Sequence, residues 1–383
     1  MPVLRKRKRA PASEPVVKLS PIQVTAHPTP RASRVLYNTV NEIALQYTLS
    51  HHWSSFHTWE YIQKHKLDRH TVEESLCSAL SPHGTCLTVS ILVAKALRAA
   101  IAKTTSISQY AKHVKLLTST AQFTPRTRFH AVVALCFDTY ALVIDHAKHP
   151  TAFAVPLNGC YDTLEFVRLL GDTDQTRWHY SSAWTCEGPV FTLRSDDMYS
   201  EKATLTYGEL DSTAALRQLT IPSHSELRRG PNGTQLPPRQ YFMLNKPLAH
   251  KPKHLPSVST PLGHVAEVCF VQVSFHERTM MVMIPYEDWL VKAENRGWSE
   301  ALEGRRMVWR VDERIALLRI PLDGVFERGV LRDREGDLRL AGRIAEALGV
   351  PRGVVVHMAK AAIRTVERAR RTAEKIAAGG PSL

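Results

Sequence analysis

The apolar positions change their period along the chain. From residue 34 to 80 they recur at helical spacing: Leu36, Val40, Ile43, Ala44 and Tyr47 share one face, with Trp53, Trp59 and Tyr61 close behind. A second helix is predicted from about Thr88 to Lys103, directly after Cys86. Strand patterns then take over, at 129–137, 140–147, 151–157, 189–194, 240–244, 266–275, 280–284, 306–311 and 315–320. Pro and Gly gather between 222 and 263, which marks a long connection or a domain boundary. Helical spacing returns from 337 onward. Helices, then strands, then helices is the order of an α+β fold rather than of alternating βαβ units. No internal repeat is present.

This pattern divides the chain into three parts. Residues 1–33 are rich in Pro, Lys and Arg without periodicity, and a disordered basic tail is expected there. Residues 34–260 form the expected core, and 261–383 a smaller region of C-terminal strands and a basic helical hairpin. With 383 residues and 44% hydrophobic composition the chain has room for one large core or two modest ones. The longest apolar candidate, 87–101, is interrupted by Lys95 and Arg98, so no membrane helix and no membrane partner are expected. The run Arg5-Lys6-Arg7-Lys8-Arg9 is followed by no apolar stretch and does not read as a secretory signal. A cytoplasmic protein is expected, with that run also fitting a nuclear import signal. Six cysteines (77, 86, 136, 160, 186 and 269) form no C-x-x-C, so free thiols are expected.

Among these thiols Cys86 stands apart. In Ser81-Pro82-His83-Gly84-Thr85-Cys86-Leu87-Thr88, Pro and Gly end one element and a strongly apolar helix begins at once. Cys86 is thereby placed at a helix N-terminus, where unpaired N–H groups and the positive end of the dipole favour a thiolate. The same N–H groups suit an oxyanion. Trp53, His83, Gly84 and Thr85 are the candidates for holding substrate beside the thiol, Gly84 by leaving room for it to approach the backbone. A packed aromatic cluster is the other reading of Trp53, Trp59 and the neighbouring His51, His52 and His57.

Two apolar runs downstream, Phe129 to Phe137 and Tyr140 to Asp145, flank the polar pair Asp138-Thr139 and read as a β-hairpin. If Phe137 faces Tyr140, Asp145 faces Val132, and His130 lies on the same face. His130 and Asp145 are then diagonal neighbours, about 7–8 Å apart at the backbone and within side-chain reach. Asp145 would fix the imidazole tautomer and His130 would take the thiol proton. Cys136 points to the same face as His130 and is the competing thiol.

A Cys at a helix start, a His opening the next strand and an Asp near the end of its hairpin partner resemble the transglutaminase-like and arylamine N-acetyltransferase-like branches of the papain-like superfamily. The N-acetyltransferases are the closer in the His-to-Asp interval and in Ala154-Val155-Pro156-Leu157, where they also carry a Pro-Leu pair. Where they have Arg-Gly-Gly ahead of the nucleophile, this chain has Pro82-His83-Gly84, which leaves the acyl donor open. The resemblance spans about residues 75–160. It implies a papain-like core with a catalytic helix packed on an antiparallel sheet, and acyl transfer or amide or thioester hydrolysis through a thioester on Cys86. It implies no metal and no cofactor, with acyl-coenzyme A and an amine among the substrates to consider.

Two rivals stand beside that reading. His83, His130, His146 and His149 crowd the same region and, with Cys86 or Asp145, would suit zinc. The second concerns the formal charge of +14, which favours acidic partners and is concentrated in the first 34 residues, in 245–254 and in the last helix. Residues 340–358 look like a helix-turn-helix, with Gly349 at the turn and Ala345, Val350, Val355 and Met358 in its core. The second helix runs on through Lys360, Arg364, Arg368, Arg370 and Arg371, which could meet phosphates of nucleic acid. On that reading the papain-like scaffold is a binding protein rather than an enzyme.

Overall fold

A computed structural model describes residues 19–65, 75–119, 130–146, 149, 151–162, 166–167, 175–176, 178–184, 190–197, 204–210, 216, 228–229, 235–236, 241–246, 269–275, 277–303, 305, 308–310, 315–323, 326 and 335–378. The Arg5–Arg9 run and most of the 222–263 connection lie outside these residues. The first half of the chain supplies β1 (Ile22–Gln23), α1 (Pro30–Ser50), β2 (His52–Ser54), α2 (Ser55–His65), α3 (Ser75–Leu80), β3 (His83–Gly84) and α4 (Cys86–Lys103). Then come β4 (Val114–Thr118), β5 (Ala131–Cys136), β6 (Tyr140–Ile144), β7 (Phe153–Pro156), β8 (Cys160–Asp162), β9 (Phe166–Val167), β10 (Gln175–Thr176), β11 (Trp178–Trp184), β12 (Val190–Asp197) and β13 (Thr204–Glu209). The second half supplies β14 (Arg228–Arg229), β15 (Gln235–Leu236), β16 (Tyr241–Lys246), β17 (Cys269–Ser274), β18 (Thr279–Pro285), α5 (Arg296–Leu302), β19 (Val308–Arg310), β20 (Ile315–Pro321), α6 (Glu335–Ala347) and α7 (Val354–Ala377). Helices with antiparallel sheets make this an α+β protein. None of the described helices is long and apolar enough to cross a membrane.

The first sheet runs β7-β6-β5-β4-β13-β12-β11-β8, all antiparallel, with β1 added on β12. It curls until its ends approach: Ser182 of β11 donates its hydroxyl to the Pro156 carbonyl of β7 at 2.6 Å, and its N–H bonds the Gly159 carbonyl. One face of β5 packs under α1 and α4 through Val133, Leu135, Val89, Val93 and Leu36. The other face looks into the curl, where Val132, Ala134 and Cys136 meet Tyr180, Leu193 and Tyr207. Both faces are covered, which is why all six residues of β5 are buried and its sequence is an unbroken apolar run. Ile22 closes the same interior at 1% exposure, a burial that contributes about 1.5–3 kcal/mol. β1 and the start of α1, at Pro30, fall within the residues 1–33 expected to form the tail.

The second sheet runs β19-β20-β18-β17-β16-β2-β3. Its core joins Phe56 of α2 to Val271, Val282 and Leu318 of the strands and to Leu338, Ile344, Val355 and Met358 of α6 and α7. Strand pairing crosses residue 260. β16 pairs with β17 across it, and β2 and β3, from far upstream, extend the same sheet. Between α6 and α7, Gly349 adopts φ +85° and ends α6: its N–H bonds the Glu346 carbonyl and the Val350 N–H reaches the Ala345 carbonyl.

Candidate active site

The site begins where the second sheet hands the chain to the first. β3 pairs in parallel with β2, bringing His83 opposite His52 and Gly84 opposite Trp53. Thr85 then caps α4, its N–H bonding Thr88 Oγ1 at 2.8 Å, and Cys86 is the first helical residue. Trp53, His83, Gly84 and Thr85, expected to flank the thiol, are thus neighbours in the backbone; the Trp53 side chain lies outside what is described. Gly84 is required at this position by packing. A Cβ there would lie 2.4 Å from Thr88 Oγ1 and 3.0 Å from Val89 Cγ2, so the side-chain space is filled by the helix's own first turn.

α4 is held against the start of β5. Leu87 and Ile91 pack with Leu116 and Ala131, and the buried Ser90 hydroxyl donates to the Ala131 carbonyl at 3.1 Å. That carbonyl belongs to the residue after His130. His130 itself is fixed at the backbone, its N–H on Ser119 Oγ at 2.8 Å and its carbonyl accepting the Ser119 N–H at 2.9 Å. Cys86 is 5% exposed.

The hairpin has the expected register. Val133 faces Ile144 and Cys136 faces Ala141, so Asp145 continues opposite Val132. Asp145 is fully buried, and its Oδ2 lies 2.7 Å from His130 Nε2. An ionised carboxylate only accepts, so Nε2 carries the proton that it shares with Asp145, and the lone pair of the neutral imidazole is on Nδ1. A buried carboxylate is costly unless hydrogen bonds replace its water. Here a second donor does so: the Tyr180 hydroxyl of β11 reaches the same Oδ2 at 2.5 Å. The His149 N–H bonds the Asp145 carbonyl and turns the chain away after β6.

Two tyrosines inside the curl were not among the expected site residues. Burial, and then the charge of Asp145, hold the Tyr180 hydroxyl well above its ordinary value, so it stays a donor. Tyr207 of β13 is pushed up in the same way by burial and by Asp145; a hydrogen bond with Ser195, at 2.9 Å, opposes this and the charge of Cys86 adds to it. The Cys86 thiol is therefore within electrostatic range of Tyr207, whose ring meets that of His130 edge-on at 6.4 Å. The only available signal for these tyrosines was inward alternation along strands poor in aliphatic residues. Cys136, the competing thiol, sits in the apolar interior, where burial pushes it up to about 12 and keeps it protonated.

His57 and His83 stack at 3.8 Å between ring centroids, His57 Nδ1 meeting Ser54 Oγ at 2.8 Å. Burial, and then His51, hold His83 below its ordinary value. His146 is pushed down to about 4 by burial. Of the residues weighed as zinc ligands, His130 is bound to Asp145, while His149 contacts the Thr151 carbonyl at 2.7 Å and the Tyr161 hydroxyl at 3.1 Å. Among the described residues no group of three His, Cys, Asp or Glu side chains is arranged to hold a metal ion.

Fold and site together define an α+β protein with a helix-borne thiol close to a buried His–Asp–Tyr network. Comparison of the chain with protein-family models, curated proteins and solved structures finds no match.

Proposed function

We propose that this chain is a thiol-dependent acyltransferase, or an amide or thioester hydrolase, of the transglutaminase-like or N-acetyltransferase-like kind. Cys86 is the nucleophile, His130 the general base and then acid, and Asp145 the group that orients it. His130 Nδ1 takes the thiol proton, and the thiolate adds to the acyl carbonyl. Backbone N–H groups in the first turn of α4 receive the negative oxygen. The imidazolium returns its proton to the leaving group as the tetrahedral species collapses to a thioester on Cys86. An amine, or water, activated by the same imidazole then releases the acyl group and restores the thiol. Asp145 remains ionised throughout. No cofactor takes part, and acyl-coenzyme A is among the donors to test.

The observation that carries this reading is the 2.7 Å bond between His130 and the fully buried Asp145, on a strand to which Ser90 ties the first turns of the Cys86 helix. A buried carboxylate with two donors on one oxygen is an expensive arrangement for a structural strand end, and it fits a group whose task is to hold an imidazole. The test is the pH dependence of alkylation at each cysteine, read by mass spectrometry, in the wild type and in His130→Ala. Cys86 should react ahead of the other thiols well below pH 8, and His130→Ala should remove that lead. An inert Cys86, or one that titrates as an ordinary thiol in both proteins, rejects the proposal.

A further inference from the structure

The C-terminal hairpin carries charge that the chemistry at Cys86 does not use. α7 holds six basic and two acidic residues. Its apolar side is consumed by the second sheet's core through Val354, Val355, Met358, Ala359, Ala362 and Ile363. The opposite side is exposed and presents Lys360, Arg364, Arg368 and Arg371, spaced by four, four and three residues. That spacing keeps them on one stripe, roughly 16 Å long at about 1.5 Å per residue. β15 lies against α7 and pairs with β14.

Three features select the partner. The stripe is mostly arginine, whose planar fork matches phosphate oxygens two at a time. Among its described side chains α7 has no spare apolar side with which to enter a bilayer, since that side is buried. It carries no Phe, Tyr or Trp on which unpaired bases could stack. The phosphates of a duplex remain as the best match. The start of α7, where a recognition helix reads base edges, is turned toward the body. Val354 and Val355 are buried, and the His357 ring is bonded to Glu60 of α2 and lies edge-on to Phe56 at 5.5 Å.

We propose that α7 is a binding site for the phosphate backbone of double-stranded nucleic acid, independent of base sequence, with Lys360, Arg364, Arg368 and Arg371 as its contacts. The site is separate from Cys86 and does not rest on the reading of that thiol.

The test is fluorescence anisotropy of the full chain with two labelled 20-base-pair duplexes of unrelated sequence, titrated between 50 and 200 mM salt. Each phosphate contact adds about 0.9 to the slope of log affinity against log salt. The triple variant Lys360→Gln/Arg364→Gln/Arg371→Gln should therefore flatten the slope by about 2.7 and weaken binding at 100 mM salt by at least about tenfold. The charge-keeping variant Arg364→Lys/Arg371→Lys should retain the wild-type slope, which separates lost charge from lost folding. Replacing Arg5, Lys6, Arg7, Lys8 and Arg9 by alanine should leave the α7-dependent part intact, and Cys86→Ala should change nothing. Four results overturn the proposal. These are no duplex binding, binding that follows the residue 5–9 charges and ignores the triple variant, a more than tenfold preference between the two duplexes, or α7-dependent capture of phosphatidylserine vesicles without capture of duplex.

Discussion

Tyr180→Phe removes one oxygen atom from the centre of the site while keeping the ring. The ring stays where it is, packed 4.8 Å from Phe153 in the interior of the curled sheet, so no large cavity is made. What is lost is the donor at 2.5 Å from Asp145 Oδ2, between groups that are both fully buried, together with a hydrogen bond shared with the Tyr207 hydroxyl. Water does not replace it without opening the interior. A hydrogen bond to a charged group contributes about 1.5–3 kcal/mol, and the buried setting favours the upper half of that range. We expect Tyr180→Phe to lower unfolding free energy by about 2 kcal/mol in urea titrations at pH 7. The attribution to Asp145 is checked by a double-mutant cycle with Asp145→Asn, which removes the charge that Tyr180 serves. The coupling between the two positions should be about 2 kcal/mol, because Tyr180→Phe has much less to lose once the carboxylate is gone. A coupling below about 0.5 kcal/mol would refute the idea that Tyr180 sustains the Asp145 charge. The same variant should erode the Cys86 lead in alkylation, whereas a purely structural tyrosine would leave that lead unchanged at temperatures where the protein is folded.

Two further outcomes follow from the surroundings. Gly84→Ala drives a Cβ to within 2.4 Å of Thr88 Oγ1 at the head of α4, and overpacking of this kind costs about 1–3 kcal/mol; a denaturation midpoint equal to wild type would contradict the close contact. His146 is pushed down to about 4 by burial, so between pH 6.5 and 4 the unfolded chain takes up a proton that the folded chain refuses, and stability falls as the pH falls through that window. At about 1.36 kcal/mol per unit the loss approaches roughly 3 kcal/mol; urea titrations at pH 7, 5 and 4 should show a shallower decline in His146→Phe, and parallel declines in the two proteins would reject the assignment.

The hairpin that bears His130 and Asp145 was legible because its two apolar runs are long, its polar pair is short, and one register alone lets Phe137 meet Tyr140. Cys86 was legible from local chemistry: Pro and Gly before it and an apolar helix after it. Tyr180 was not, since it lies 35 residues from Asp145 on a strand reading Trp-His-Tyr-Ser-Ser-Ala-Trp, and only the curl of the sheet brings them together. β1 was missed because two residues carry no period; Ile22 is ordered by the interior it closes. The pairing of β2 and β3 with strands beyond the 222–263 connection was not legible, for a related reason. β2 and β3 are three and two residues long, and their place in the second sheet depends on partners far along the chain, such as β16, which pairs with β2. Local pattern therefore specifies the parts of the site that one element can define alone, and topology specifies the rest. The loop leading to Cys86 is paired to the second sheet through β3, while α4, which Cys86 begins, packs on the first sheet together with the His130–Asp145 hairpin. The helix and the hairpin therefore belong to one packed body, and the second sheet meets them only at the residues just before the thiol.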